Sequence, residues 1–232
     1  MAVYLPIKNV NQQGQGLIEL IVAIAVVNIG LFSVWALFLS NFAGEQEAKA
    51  RIIGVNLARE GIEVVKNIRD SNWLKIENNE ECDGGVCFWD TGLNNPSDDK
   101  TAIIVDLFNE TQEAKFDFSA NDFTDHGTRV FMIGGSEGGS SNDGFFIQTA
   151  ATDGLTVLPT AYRRLLTLES IYCQDNDPQD FKCDNNEFKT LPNFSTADNL
   201  LKVGLDVKSE VHWIISGQER QLAVEDQIFN WK

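Results

Sequence analysis

The longest apolar run in the chain occupies positions 20–43, LIVAIAVVNIGLFSVWALFLSNFA, and it contains no charged residue. At about 1.5 Å per residue a helix over this run spans roughly 36 Å, enough to cross a hydrocarbon core of about 30 Å. A buried helix of a soluble domain is usually shorter and keeps a polar face, so the pattern predicts a membrane-spanning helix. A secretory signal peptide would have an apolar run of only about 7–15 residues with a small-residue cleavage site beyond it. The run here is longer, and Ser40-Asn41-Phe42-Ala43 is a poor substitute for such a site.

The pattern changes after Gly44. In EQEAKARIIGVNLAREGIEVVKNIRDSNWL, Ile53, Leu57, Val64 and Ile68 fall on one side of a helical wheel. Val55, Ala58, Ile62 and Val65 widen that side to an arc of about 200°, well beyond the usual stripe of about 100°. Asn56, Glu60, Glu63, Lys66 and Asn67 hold the other face, and Ile52 fits neither. Glu45–Lys49 and Glu47–Arg51 have the i,i+4 order that supports a helix. The two patterns together predict one helix from about residue 17 to 70, roughly 80 Å long. Gly30, Gly44, Gly54 and Gly61 are expected to bend or weaken it. Asn28 is expected to hydrogen-bond locally rather than to form a site.

From about residue 71 short β-rich runs alternate with clusters of Gly, Asn, Asp and Ser. Candidate strands are 86–89, 102–108, 128–133, 145–149, 162–172, 201–215 and 219–229. In 201–215, Val203, Leu205 and Val207 alternate with Lys202, Asp206 and Lys208, and Val211 and Trp213 keep the phase. Ser216-Gly217-Gln218 then reads as a hairpin turn. Segments 94–100 and 134–144 read as exposed loops. The expected fold is α+β, with an antiparallel sheet laid on the amphipathic half of a long N-terminal helix.

Composition narrows the function. With 43% hydrophobic and 22% charged residues over 232 positions, the chain is globular rather than disordered. Eighteen Lys plus Arg against 34 Asp plus Glu give a net charge of −16, the wrong field for phosphate, so no nucleic acid partner is expected. Two histidines, His126 and His212, are too few for a His-rich metal enzyme. No Gly-x-Ser-x-Gly elbow or Gly-Lys-Ser/Thr phosphate loop occurs, so the chain is read as no enzyme. Trp89, Phe145 and Phe146 are expected in a core.

Four cysteines form two local groups, Cys82 with Cys87 and Cys173 with Cys183. Three pairings are possible, of which local pairing is the favoured one. A four-thiolate zinc site is the alternative, but neither group has C-x2-C spacing. Disulfides imply an oxidising compartment. Asp175, Asp177 and Asp180, with Asn176 and Asp184, could offer oxygens to calcium, although the EF-hand glycine and terminal glutamate are missing. A solvated loop is the competing reading. No other cofactor is expected.

Glu19 stands at the front of the apolar run, in Gly14-Gln15-Gly16-Leu17-Ile18-Glu19-Leu20. A carboxylate in hydrocarbon is costly unless it is paired or near the headgroups. This glycine, acid spacing, short polar leader and long apolar run resemble the prepilin-type signal of type IV pilins and type II secretion pseudopilins. The resemblance implies cleavage by a prepilin peptidase between Gly14 and Gln15, followed by N-methylation of Gln15. Glu19 then becomes the fifth residue of the mature chain, the family's position for its assembly glutamate, and meets the terminal ammonium of a neighbouring subunit. The commonest pattern has Phe where Gln15 stands and Thr or Ser where Gly16 stands.

The organisation implied is a leader at 1–14, a transmembrane or filament-core segment at 15–43, an amphipathic segment at 44–70 and a β-rich globular domain at 71–232. Charge alone does not orient the chain, since Lys8 precedes the apolar run and Lys49 and Arg51 follow it. The resemblance implies a single-pass cytoplasmic membrane protein with its C-terminal domain outside, later part of a pilus or pseudopilus. Its implied partners are the peptidase, the lipid bilayer, other pilin or pseudopilin subunits and the inner-membrane assembly platform. The Leu-Ile-Glu-Leu-Ile-Val-Ala-Ile run and the Ala-Arg-Glu-Gly-Ile-Glu stretch resemble minor subunits of the pilus-modification type. The competing expectation is a membrane-anchored extracytoplasmic binding or adhesion module that does not polymerise.

Overall fold

A computed structural model of the chain describes residues 15–82, 85–94, 101–105, 114–120, 122–134, 144–148, 156–174, 189–190 and 200–230. The fold is α+β. Helix α1 runs Gln15–Glu77. The chain divides into two compact units, Met1–Lys49 and Ala50–Lys232. The described part of the first unit is α1 alone.

In the second unit α1 is amphipathic, as its residue spacing dictates. Leu57, Ala58, Ile62 and Val65 are buried at helical spacing, while Asn56, Glu63 and Asn67 face solvent. Ile52, the misfit of the wheel, is exposed. Each fully buried Leu, Ile or Val contributes roughly 1.5–3 kcal/mol. Gly54 and Gly61 do not interrupt the helix. They lie where the sheet comes closest: an added Cβ would meet the Trp213 ring at 3.0 Å and the Ser209 hydroxyl at 2.6 Å. Their role is close approach rather than bending.

The helix runs past residue 70, the boundary expected from the texture change, through Ser71 to Glu77. Asn72 holds this extension by donating through Nδ2 to the carbonyls of Trp89 (3.1 Å) and Thr91 (2.8 Å). Asn79 ends it in the left-handed region, at φ 55°. The Asn79 N–H donates to Ile76 O and the Glu80 N–H to Lys75 O, a Schellman closure that satisfies carbonyls the helix end leaves open.

The strands are β1 (Thr101–Val105), β2 (Lys115–Asp117), β3 (Arg129–Ile133), β4 (Phe146–Ile147), β5 (Val157–Gln174), β6 (Lys189–Thr190), β7 (Leu200–Ile215) and β8 (Gln218–Phe229). They form one antiparallel sheet around β5. On one side β5 pairs with β7, which pairs with β8. On the other it pairs in turn with β3, β1 and β6, and β4 and β2 extend outward from β3 and β1. Segment 86–89, expected as a strand, instead lies in turns anchored by the buried Trp89. Ser216 (φ 50°) and Gly217 (φ 75°) form the two-residue hairpin loop, so Gln218 opens β8 opposite Ile215.

The sheet is covered on both faces within the second unit. Tyr162, Arg164, Leu166 and Leu168 of β5 and Leu205, Val207, Ser209, Val211 and Trp213 of β7 are buried. Most of these apolar residues pack with Leu57, Ala58, Ile62 and Val65 of α1. On the reverse face Leu165 packs with Ile103 and Ala120. Phe123 stacks on His212 there, with ring centroids 3.6 Å apart. Arg163 Nη1 pins that covering loop by donating to the carbonyls of Phe123 (2.6 Å) and Asp125 (3.1 Å).

Candidate functional site

The span Gly16–Glu77 contains the one described helix that is long and apolar enough to cross a membrane. From Gly16 to Ala43 every residue is exposed, and Phe32 reaches 72%. An apolar surface continuous around the whole helix far exceeds what a monomeric soluble protein leaves in water. The polar side chains inside the run fit hydrocarbon. Asn28 donates through Nδ2 to Ile24 O and Ser33 through Oγ to Ile29 O, each at 2.8 Å. Each internal bond lowers the cost of placing that donor in hydrocarbon. Trp35, Phe38 and Phe42 form an aromatic ladder, with neighbouring centroids 6.2 and 4.5 Å apart.

Glu19 lies on the second turn of α1 and is the one ionisable residue between Gly16 and Ala43. Its position leaves the carboxylate exposed in the single chain. Gly14 lies outside the described residues, and Gln15 is the first residue of the helix.

Cys82 and Cys87 are joined by a disulfide, their Cα atoms 5.0 Å apart. Cys173 is also disulfide-bonded. Cys183 and the calcium candidates Asp175, Asp177 and Asp180 lie outside the described residues. Among the described residues no group of three or more His, Cys, Asp or Glu side chains could hold a metal ion. His126 is exposed in a 3-10 turn, and His212 sits in β7 with Nδ1 3.5 Å from Glu219. The two are not brought together with a common acid.

Two cations, one fully and one largely buried, were not singled out by sequence reasoning. Arg164 is fully buried. It donates through Nε to Gln148 Oε1 (2.8 Å) and through Nη1 to Leu57 O (3.0 Å), and meets Glu60 at 3.3 Å. Burial pushes its pKa below the usual range, and Glu60 opposes that shift. The signal was its phase: in β5 it alternates in register with Tyr162, Leu166 and Leu168. Lys202 pairs with Asp90 at 2.7 Å, also meets Asn94, and lies 5.6 Å from the Trp89 ring centroid. Burial lowers the Lys202 pKa and Asp90 opposes this.

A cleft of about 440 Å³ opens at the C-terminal end of α1, beside the Cys82–Cys87 turn. Its walls include Ile68, Asn72 and Lys75 of α1, Thr91, and Lys115 and Phe116 of β2. No family model, curated protein or solved structure matches this chain.

Proposed function

We propose that this chain is a minor pilin or pseudopilin, held in the membrane by the first half of α1 and assembled through it into a type IV pilus or a type II secretion-like filament. The observation that carries the reading is the helix over residues 16–43, apolar on every side, with internally bonded Asn28 and Ser33 and one carboxylate near its start. Such a helix suits lipid. It equally suits a bundle of identical helices, where neighbours replace lipid around the same surface. Glu19 distinguishes the two environments. A lone carboxylate gains little from lipid, but a neighbour's terminal ammonium at short range in a poorly solvated core gives it strong attraction. In this reading the peptidase cuts after Gly14, Gln15 carries the new N-terminus, and the domain beyond the membrane is displayed on the filament. The chain is structural, with no catalytic role.

The test has two parts. Mass spectrometry of the protein from its native envelope is expected to find a chain beginning at methylated Gln15. Glu19→Ala is expected to insert into membrane normally and to enter filaments poorly. A chain beginning at Met1 in cells that hold the peptidase would reject the processing step. Undiminished incorporation of Glu19→Ala would reject the role of the acid, and a parent chain found in the membrane but never in filaments would favour an anchored module that does not polymerise.

A further inference from the structure

The cleft beside Cys82 and Cys87 contains a buried acceptor that has no donor among the described residues. Asn72 is 5% exposed, and its orientation is fixed because Nδ2 donates to two carbonyls, Trp89 O and Thr91 O. Its Oδ1 therefore points the other way, where the neighbour is Cys82 Sγ at 3.9 Å. That sulfur belongs to the disulfide and carries no hydrogen, so it cannot donate. A buried amide oxygen left this way is costly in a folded protein. Asn72 and Cys82 both line the cleft, so the open acceptor lies at its wall.

The rest of the lining adds three requirements. Lys75 and Lys115 bring two of the chain's 18 Lys and Arg residues to one opening, in a molecule of net charge −16. Both lysines have other interactions within the fold, so an incoming anion shares them. Thr91 Oγ1 accepts from the Phe88 N–H at 2.8 Å, which leaves its hydrogen available to a ligand oxygen. Ile68 and Phe116 supply an apolar wall. The volume lies within the roughly 300–1,000 Å³ of small-molecule sites.

We infer that this cleft binds the carboxylate end of an acylated amino acid or peptide. The ligand's last amide N–H donates to Asn72 Oδ1, its carboxylate meets Lys75 and Lys115, and its terminal side chain lies against Ile68 and Phe116. The site lies wholly within the second unit and does not depend on the filament reading.

N-acetylleucine is the probe, titrated into the full-length chain in detergent micelles and followed by amide NMR. N-acetylleucinamide, which lacks the carboxylate, is the control. Saturable shifts centred on the Asn72 side-chain amide and Lys115 are expected, with the control weaker by about tenfold or more. Lys115→Met, a change at an exposed strand residue, is expected to weaken the acid by a similar factor of about ten and to leave the control unchanged. The inference is overturned by a cleft that holds only water and gives no saturable shift up to about 10 mM. Equal binding of acid and amide, or unaltered binding by Lys115→Met, would also overturn it.

Discussion

Arg164 of β5 and Glu60 of α1 form an ion pair at 3.3 Å in which the arginine is fully buried and the glutamate is 37% exposed along its side chain. The asymmetry decides what each residue contributes. Glu60 can be hydrated when its partner is gone, but Arg164 cannot. Removing the arginine also takes away the donors to Leu57 O and Gln148 Oε1, which lie between helix and sheet. Arg164→Ala opens a cavity and loses both of those bonds, so it is expected to cost about 2–5 kcal/mol. Arg164→Met, which keeps most of the volume without the charge, should recover a good part of that loss. Glu60→Gln leaves the buried guanidinium with only neutral acceptors and should cost about 3–5 kcal/mol. Urea unfolding of the full chain in detergent, followed by tryptophan fluorescence, measures all three. If Arg164→Met equals or exceeds the parent, the buried charge does not contribute to stability.

Gly61 and Ser209 test the closest approach of α1 to the sheet. On helix propensity alone Gly61→Ala should stabilise by up to about 1 kcal/mol. Its Cβ, however, would lie 2.6 Å from Ser209 Oγ, so the substitution should destabilise by about 1–3 kcal/mol. Ser209 Oγ is buried and has no partner among the described residues, so Ser209→Ala removes an unsatisfied group and should be neutral or slightly stabilising. The double variant should then recover much of the Gly61→Ala loss, a coupling of about 1 kcal/mol or more between the two sites. Gly44→Ala, with nothing within 4 Å, is the control and should follow propensity. Additivity of Gly61→Ala and Ser209→Ala in denaturant unfolding would remove the steric explanation.

Elements with a clear period were legible in the sequence. The wheel of Leu57, Ala58, Ile62 and Val65 and the alternation of Leu205, Val207, Val211 and Trp213 both correspond to buried faces. Both patterns depend only on which side of a regular element meets the core. The helical end at residues 71–77 was not legible, because Ser71 and Asn72 have turn-like composition and only Asn72's bonds to Trp89 O and Thr91 O reveal why the helix continues. Strand β5 was read as 162–172 and extends to Val157–Gln174, since Pro159 and Thr160 break the apolar pattern while still pairing near β3. The short strands β2 and β6 carry too few residues to show a period. At the candidate site, the apolar run and Glu19 were visible because the capacity to cross a membrane depends on length and composition. The cleft was not, because Asn72, Cys82 and Lys115 are brought together only by tertiary folding.

Lys202 gives a pH dependence whose sign follows from its environment. Burial lowers its pKa below 10.5, the value for the unfolded chain, despite Asp90. Below the lowered pKa both states hold the proton, and the folded state bears the full cost of burying the ammonium. As pH rises from that value towards 10.5, the unfolded chain holds more of the proton than the folded one, so this residue's contribution to stability rises with pH. Lys66 has the opposite sign: its hydrogen bond to Asp226, the largest influence, raises its pKa. The stability it supplies is present below 10.5 and is lost as pH climbs through the raised value. Other groups titrate in the same range, so the informative quantity is the difference between the parent and Lys202→Met. That difference in urea midpoint should shift towards the parent over the interval in which pH rises through the lowered pKa towards 10.5, because only the parent sheds the cost of the buried ammonium. A difference that stays level across this interval, or moves the other way, would mean that Asp90 and Trp89 outweigh desolvation and hold Lys202 charged.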